Sequence, residues 1–388
     1  MGKLIRFATL CVMLIAANAM AELQIDITRG GADASPIAVV PFSWSDPSYG
    51  PYDVAAVVGE DLARSGRFAP MPVKDMLQKP TTGAAIDFSD WRILGTEVVI
   101  VGEVLPNGKD NYMIQFQVFD VFRGKQILGY RMPSNRAGLR ASSHRISDMI
   151  YEKLTGVKGV ASTRLAYVNV TGPPASPVYR LIVADADGEN ASVMVESEKP
   201  LLSPAWSPDG RKLALTLSKG RGDLDVYILD LSTQVLTRLT SGPSIETEAA
   251  WSADGKSVYF TSDRGGAPQV YQMTPGESRA QRVTFEGPYN ARPRISPTSN
   301  KMAVVHNDRG NYRIAVVDLE RSYSQVLSDG RLDEAPSFAP NGELIIYATG
   351  EGRRGALGLV STDGRVQQSI KSVEGEVREP AWGPFPVN

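Results

Sequence analysis

The side chains able to perform chemistry in this 388-residue chain are few and poorly placed for it. Its two histidines, His144 and His306, fall in different regions, and no Gly-x-Ser-x-Gly elbow accompanies them, so a serine hydrolase triad is not supported. His144 is expected on the exposed side of a helix and His306 at the end of a strand, and neither suggests a metal. Asp185-Ala186-Asp187-Gly188 has the opening of a calcium loop but lacks its remaining ligands and terminal Glu, so it reads as a hairpin turn. Arg221-Gly222-Asp223 reads as a turn as well. Cys11 is the only cysteine, and no cofactor or metal is expected.

Charge gathers instead in loops that precede a recurring strand. These are Glu246, Thr247 and Glu248; Asn290 and Arg292; Asp333 and Glu334; Arg378 and Glu379. Brought to one mouth of a channel, they would form a mixed-charge rim on which a protein partner is steered and held in register. They fit solvated, capped turns equally well. A third reading takes Glu248, Asp333, Glu334 and Glu379 as the source of a carboxylate pair, which would make the chain a secreted five-bladed propeller glycosidase. Turnover of pentose polysaccharides that disappears in Glu248→Gln would support that alternative.

The elements that would position these loops follow from an internal repeat. Ser203-Pro204-Ala205-Trp206-Ser207-Pro208-Asp209-Gly210 is echoed by Ala249-Ala250-Trp251-Ser252-Ala253-Asp254-Gly255, Arg292-Pro293-Arg294-Ile295-Ser296-Pro297, Ala335-Pro336-Ser337-Phe338-Ala339-Pro340-Asn341-Gly342 and Glu379-Pro380-Ala381-Trp382-Gly383-Pro384. The bulky positions 206, 251, 295, 338 and 382 are spaced 45, 44, 43 and 44 residues apart. Between them come an apolar strand, a Gly/Asp/Arg turn, an alternating strand such as Val226 to Asp230, and a third short strand, which is one propeller blade per period. Asp-Gly or Asn-Gly supplies the positive φ of each tight turn. A single blade cannot cover both of its faces, so the bulky residue belongs between neighbouring blades. The first unit, Arg164 to Glu196, lacks an innermost strand, and the chain ends in the lone Pro380-Ala381-Trp382. The C-terminus is therefore expected to complete the first of five units.

Residues 22–160 follow a different period. Strands are expected at Ile37 to Val40, Val98 to Val101 and Ile114 to Val118. Helices are expected at Val54 to Ser65, capped by Asp53 and stopped by Gly66, and at Leu139 to Leu154, with Leu139, Ile146, Ile150 and Leu154 on one face. The fold class is thus multidomain, α/β plus all-β: a small N-terminal α/β domain at 22–160, then a WD40-like β-propeller at 161–388.

Residues 1–21 read as a cleaved secretory leader, with Lys3 and Arg6 before the apolar stretch Phe7 to Ala17 and Ala19-Met20-Ala21 as the cleavage site. With 42% hydrophobic and 22% charged residues the chain is neither disordered nor a membrane bundle. Its formal charge of −2 offers no basic face for nucleic acid, and no later apolar run could cross a membrane. The expected compartment is extracytoplasmic.

Ile37-Ala38-Val39-Val40-Pro41-Phe42, the junction Lys153-Leu154-Thr155-Gly156-Val157-Lys158-Gly159, the Ser-Pro-Ala-Trp-Ser-Pro-Asp-Gly unit, Phe260-Thr261-Ser262-Asp263 with Pro268-Gln269-Val270-Tyr271, and Leu359-Val360-Ser361-Thr362-Asp363-Gly364-Arg365 together resemble the TolB family of the Tol-Pal system. The resemblance spans the whole chain. It implies a TolB-type propeller and a non-enzymatic periplasmic protein of a Gram-negative envelope, bound by the lipoprotein Pal and the inner-membrane protein TolA, with other envelope proteins as further partners. The implied role is maintaining outer-membrane integrity and supporting envelope invagination in cell division. It places the TolA-binding segment at 22–33, carried by Glu22, Leu23, Gln24, Ile25, Asp26 and Ile27, where Gly30-Gly31 could leave it mobile, and it matches a Pal-contacting Thr to Thr247. The family propeller has six blades against five counted here. The absent unit, with a His-bearing Pal loop, would fall between Asp209-Gly210 and Arg211-Lys212.

Overall fold

The computed structural model describes residues 23–386 apart from 30–33, 49, 221–222, 253, 283–293, 300, 319–322, 352–353 and 373–374. In the N-terminal domain, Asp53 accepts the Ala56 N–H at 2.9 Å and starts helix α1, Val54–Arg64. Helix α2 is Phe88–Ile93, and α3, Leu139–Thr155, ends at Gly156 with φ 78°. A mixed sheet runs Phe68–Pro70, Ser35–Val39, Val98–Pro106, Asn111–Asp120, Lys125–Asn135, with Ser43–Trp44 also on Val98–Pro106. Its first three strands are parallel and the later pairs antiparallel. Tyr112, Ile114, Phe116 and Val118 alternate onto the face covered by Val58 and Leu62 of α1 and Ile146 and Ile150 of α3. Trp91 of α2 fills the opposite face with Ala38, Val99 and Val101. The strand Lys125–Asn135 had no sequence signal because it is a largely exposed edge, with no alternation to read.

Among the described residues the rest of the chain forms five sheets of propeller type. The second to fifth blades begin with the innermost strands Leu201–Trp206, Glu246–Trp251, Arg294–Ile295 and Glu334–Phe338, each followed in order by three antiparallel strands. The first blade takes its innermost strand from the far end of the chain. Glu376–Trp382 pairs antiparallel with Arg164–Thr171, setting Trp382 opposite Leu165 and Ala381 opposite Ala166. The ring is thereby latched by non-covalent pairing. Gly210 and Gly255, at φ 66° and 70°, make the turns after the Trp strands, each N–H returning at 2.9 Å to Ser207 O and Ser252 O.

The seams are where the large side chains lie. Trp206 packs with Ala381 and Leu213 between the first two blades, Trp251 against Ala214 and Phe260 between the next two, Phe338 with Ile314 and Tyr347 between the last two, and Trp382 with Leu165 and Leu344 across the closure. Each of these clusters draws on two sheets, so a blade's faces become dry only through its neighbours.

Leu23–Arg29 is a strand that pairs antiparallel with Gln367–Ser372, Leu23 opposite Ser372 and Arg29 opposite Gln367, so the fifth blade carries five strands. An outermost blade strand has an unpaired edge, and this segment occupies it.

Candidate protein-docking site

Every innermost strand with described bulge residues breaks its register at the same place: between Leu202 and Ala205, Thr247 and Ala250, Glu334 and Ser337, Arg378 and Ala381. Inside each break is one non-glycine residue in the left-handed region: Ser203 (φ 51°), Glu248 (60°), Ala335 (50°) and Glu379 (50°). The bulges bend these strands around a central cavity of about 250 Å³, to whose wall all five contribute, including Arg294 of the fourth blade. One blade reaches the next across it, since Glu379 Oε2 accepts from Ser203 N at 3.3 Å.

The nine rim residues separate on inspection. Glu334 is exposed, as is Arg378, which pairs with Glu376. Glu248 is half-buried and accepts from Thr261 Oγ1 at 3.0 Å; Thr247 is half-buried, 3.5 Å from Thr216 Oγ1 of the preceding blade. Glu379 is half-buried. Two must be withdrawn from the rim as displayed charges. Glu246 is 1% exposed and ion-paired with Arg264, while Asp333 is fully buried and accepts from Ser328 Oγ, Thr349 Oγ1 and the Gly330 N–H, the last at 3.0 Å. A carboxylate without water is held only by such donors, so these two order their loops rather than greet a partner. Asn290 and Arg292 lie outside the described residues.

Apolar side chains stand beside the remaining charges. Ile245 and Leu332, immediately before the two buried acids, are 44% and 52% exposed, and Tyr312, bridged to Leu332, is 46% exposed. Sequence reasoning missed them; the signal was an apolar residue directly before the acid in two equivalent loops. Exposed apolar groups among charges are the composition of a protein-docking surface.

The α/β domain meets the opposite end of the blades, at their tight turns. Tyr151 Oη donates to Glu343 Oε2 at 2.5 Å, Arg67 Nη2 pairs with Glu343 Oε1 at 3.3 Å, Asn341 Nδ2 donates to Lys158 O at 3.1 Å and Gln368 Nε2 to Arg64 O at 2.8 Å. His144, expected to be exposed, is 2% exposed, and Asp187 of the Asp185–Gly188 turn faces it. The helix face that carries no apolar stripe is covered by the other domain. His306 is exposed within the strand Lys301–Asp308. No helix among the described residues is long and apolar enough to cross a membrane.

The TolB amino-terminal domain family matches residues 23–127, and the TolB beta propeller domain family matches 151–218 and 202–386. The Tol-Pal system protein TolB of Thioalkalivibrio sulfidiphilus is 43% identical over 431 aligned positions covering 99% of each chain, and that of Xanthomonas oryzae pv. oryzae 41% over 428, covering 97% of each. Both alignments exceed this chain's 388 residues by about the length of one blade repeat. The crystal structure of TolB from Acinetobacter baumannii superposes with a TM-score of 0.71 at 35% identity, covering 94% of this chain and all of that one. On the strength of both domains and of these full-length relatives, the chain belongs to the TolB family of Tol-Pal system envelope proteins.

Proposed function

We propose that this protein is a non-enzymatic periplasmic scaffold that links inner-membrane TolA to outer-membrane Pal, supporting outer-membrane integrity and envelope invagination during division. The observation that carries the reading is the free end of the propeller. There Ile245, Tyr312 and Leu332 are exposed near Thr247, Glu248, Glu334, Arg378 and Glu379, on the side away from the α/β domain. Pal would dock there. The segment 22–33 would engage TolA, its strand Leu23–Arg29 leaving the edge of Gln367–Ser372 in a strand-for-strand exchange that keeps main-chain hydrogen bonding satisfied.

The test is binding of purified Pal and TolA to the wild type, to Thr247→Arg and to a chain lacking residues 22–33. Thr247→Arg should weaken Pal binding at least tenfold and leave TolA binding unchanged. The deletion should lose TolA and keep Pal. Equal Pal affinity in wild type and Thr247→Arg removes the rim from the mechanism, and TolA retained by the deletion removes the segment.

A further inference from the structure

One imidazole joins the two domains. His144 of α3 has Nδ1 2.7 Å from Asp61 Oδ2 of α1 and Nε2 3.4 Å from Asp187 Oδ2, in the turn between Val178–Asp185 and Ser192–Ser197 of the first blade. All three side chains are under 5% exposed. The carboxylates approach opposite edges of the ring, one from each domain. Nδ1 is hydrogen-bonded to Asp61, whereas Nε2 makes no hydrogen bond and meets Asp187 only as an ion pair; a neutral imidazole has no charge to offer Asp187, and only the imidazolium attracts both carboxylates.

The surroundings are fully charged. Arg64 Nη1 lies 2.8 Å from Asp61 Oδ1, and Ser147 Oγ donates to Asp61 Oδ2 at 2.7 Å. Arg140 pairs with Asp187 and feels Tyr52 and Glu189. Asp148 is one turn further along α3. His144 also borders a cleft of about 550 Å³ between α3 and the first blade, walled by Arg145, Asp148, Glu152, Lys158 and Asp185, which gives protons a route to the ring.

We propose that His144 is a proton-operated latch: protonated, it ties α1 and α3 to Asp187 and holds the α/β domain on the first blade, and its deprotonation loosens that docking. Burial works against the charged ring, but the hydrogen bond and charge of Asp61 and the charge of Asp187 outweigh it and raise the imidazole above its ordinary 6.5. A raised value in the docked state means that the latch is complete below about pH 6.5 and is lost as pH rises through the raised value. Asp61 stays beside the ring if the domains part, so Asp187 alone couples the proton to docking. A single metal ion is a poorer fit, because the two carboxylates face different nitrogens and Arg140 already occupies Asp187.

The chain has two histidines, so the imidazole signals of the full protein can be followed by NMR from pH 5.5 to 9. In parallel, spin labels at the exposed positions Ile93 and Val193 report the distance between domains. The His144 midpoint should lie above 6.5, fall by at least half a unit in Asp187→Asn, and coincide with a broadening of the label distance that His144→Gln already shows at pH 6. Asp187→Asn, in a turn between two strands of the first blade and outside the α/β core, carries the test if His144→Gln does not fold. A distance distribution unchanged across the range, a wild-type pH response retained in His144→Gln, or a chelator-sensitive tightening by added zinc would each overturn the latch.

Discussion

The indole N–H of Trp206 donates to the backbone carbonyl of Ala381 across the seam between the second and first blades, at 3.0 Å. Trp251 repeats the contact one blade on, to Ala205 O at 3.1 Å. The repeated Trp is therefore a clasp as well as filler: its ring dries the seam and its one polar atom donates to a carbonyl of the neighbouring innermost strand, at the residue just past the bulge. At the closure the same device points elsewhere, with Trp382 Nε1 donating to Thr163 Oγ1 at 2.8 Å.

Two substitutions separate the clasp from the filler. Trp206→Phe keeps most of the aromatic bulk and loses the donor, and should cost about 1–2 kcal/mol. Trp206→Ala empties the seam and should cost about 3–5 kcal/mol. Urea unfolding of both proteins checks the order; equal losses would show that the ring's volume contributes nothing beyond the hydrogen bond.

The left-handed residue in each inner bulge makes a prediction of unusual sign. Ala335, at φ 50°, lines the central cavity, and its methyl sits on a backbone that L-residues avoid by about 1–2 kcal/mol. Glycine costs about 0.5–1 kcal/mol in unfolded-state entropy. Ala335→Gly should therefore stabilise the protein by about 0.5–1 kcal/mol, whereas Ala→Gly inside a strand normally destabilises. A lowered denaturation midpoint would mean that the methyl contributes packing that its place at the cavity does not suggest.

These seams and bulges show why part of the protein was legible from sequence. Trp206, Trp251, Phe338 and Trp382 recur at one period because each solves the same local problem, and repetition survives in a single chain. The pairing of Glu376–Trp382 with Arg164–Thr171 was readable for the same reason, as two incomplete units that complement each other. His144 was not, because its partners are 83 and 43 residues away in other elements and α3 is covered on two sides, by the sheet and by the propeller. Periodicity reveals the apolar side only. Glu246 and Asp333 misled differently: composition marks a loop as charged, but whether a carboxylate faces water or its own turn depends on donors such as Arg264 and Ser328 that approach from outside the motif.

That distinction can be measured on adjacent residues. Asp333→Ala strips three donors of their acceptor in the interior and should cost about 3 kcal/mol or more, while Glu334→Ala, exposed next to it, should change stability by less than about 0.5 kcal/mol. On the proposed docking at the rim, Pal binding should respond in the opposite order when measured well below the unfolding transition. If Glu334→Ala proves the more destabilising, the assignment of the buried acid to the blade and the exposed one to the rim is reversed.

Gly66 tests the domain contact by sterics rather than charge. It follows α1 at φ 69°, and a Cβ there would lie 2.1 Å from Val366 Cγ2 of the fifth blade. Valine is short and branched, so it cannot swing clear; either the turn or the domains must move. Gly66→Ala should cost about 1–2 kcal/mol from the left-handed backbone alone. The clash adds a loss of docking that a helix cap by itself would not cause, because Tyr151–Glu343, Arg67–Glu343 and Gln368–Arg64 all bridge the same contact. The comparison that isolates it is Val366→Gly combined with Gly66→Ala: removing the whole side chain, whose Cβ would itself lie 2.9 Å away, should restore docking, read as protection of the 156–163 linker from protease, and leave the backbone cost in place. Failure of the double variant to recover protection would show that Gly66 serves the helix end and not the interface.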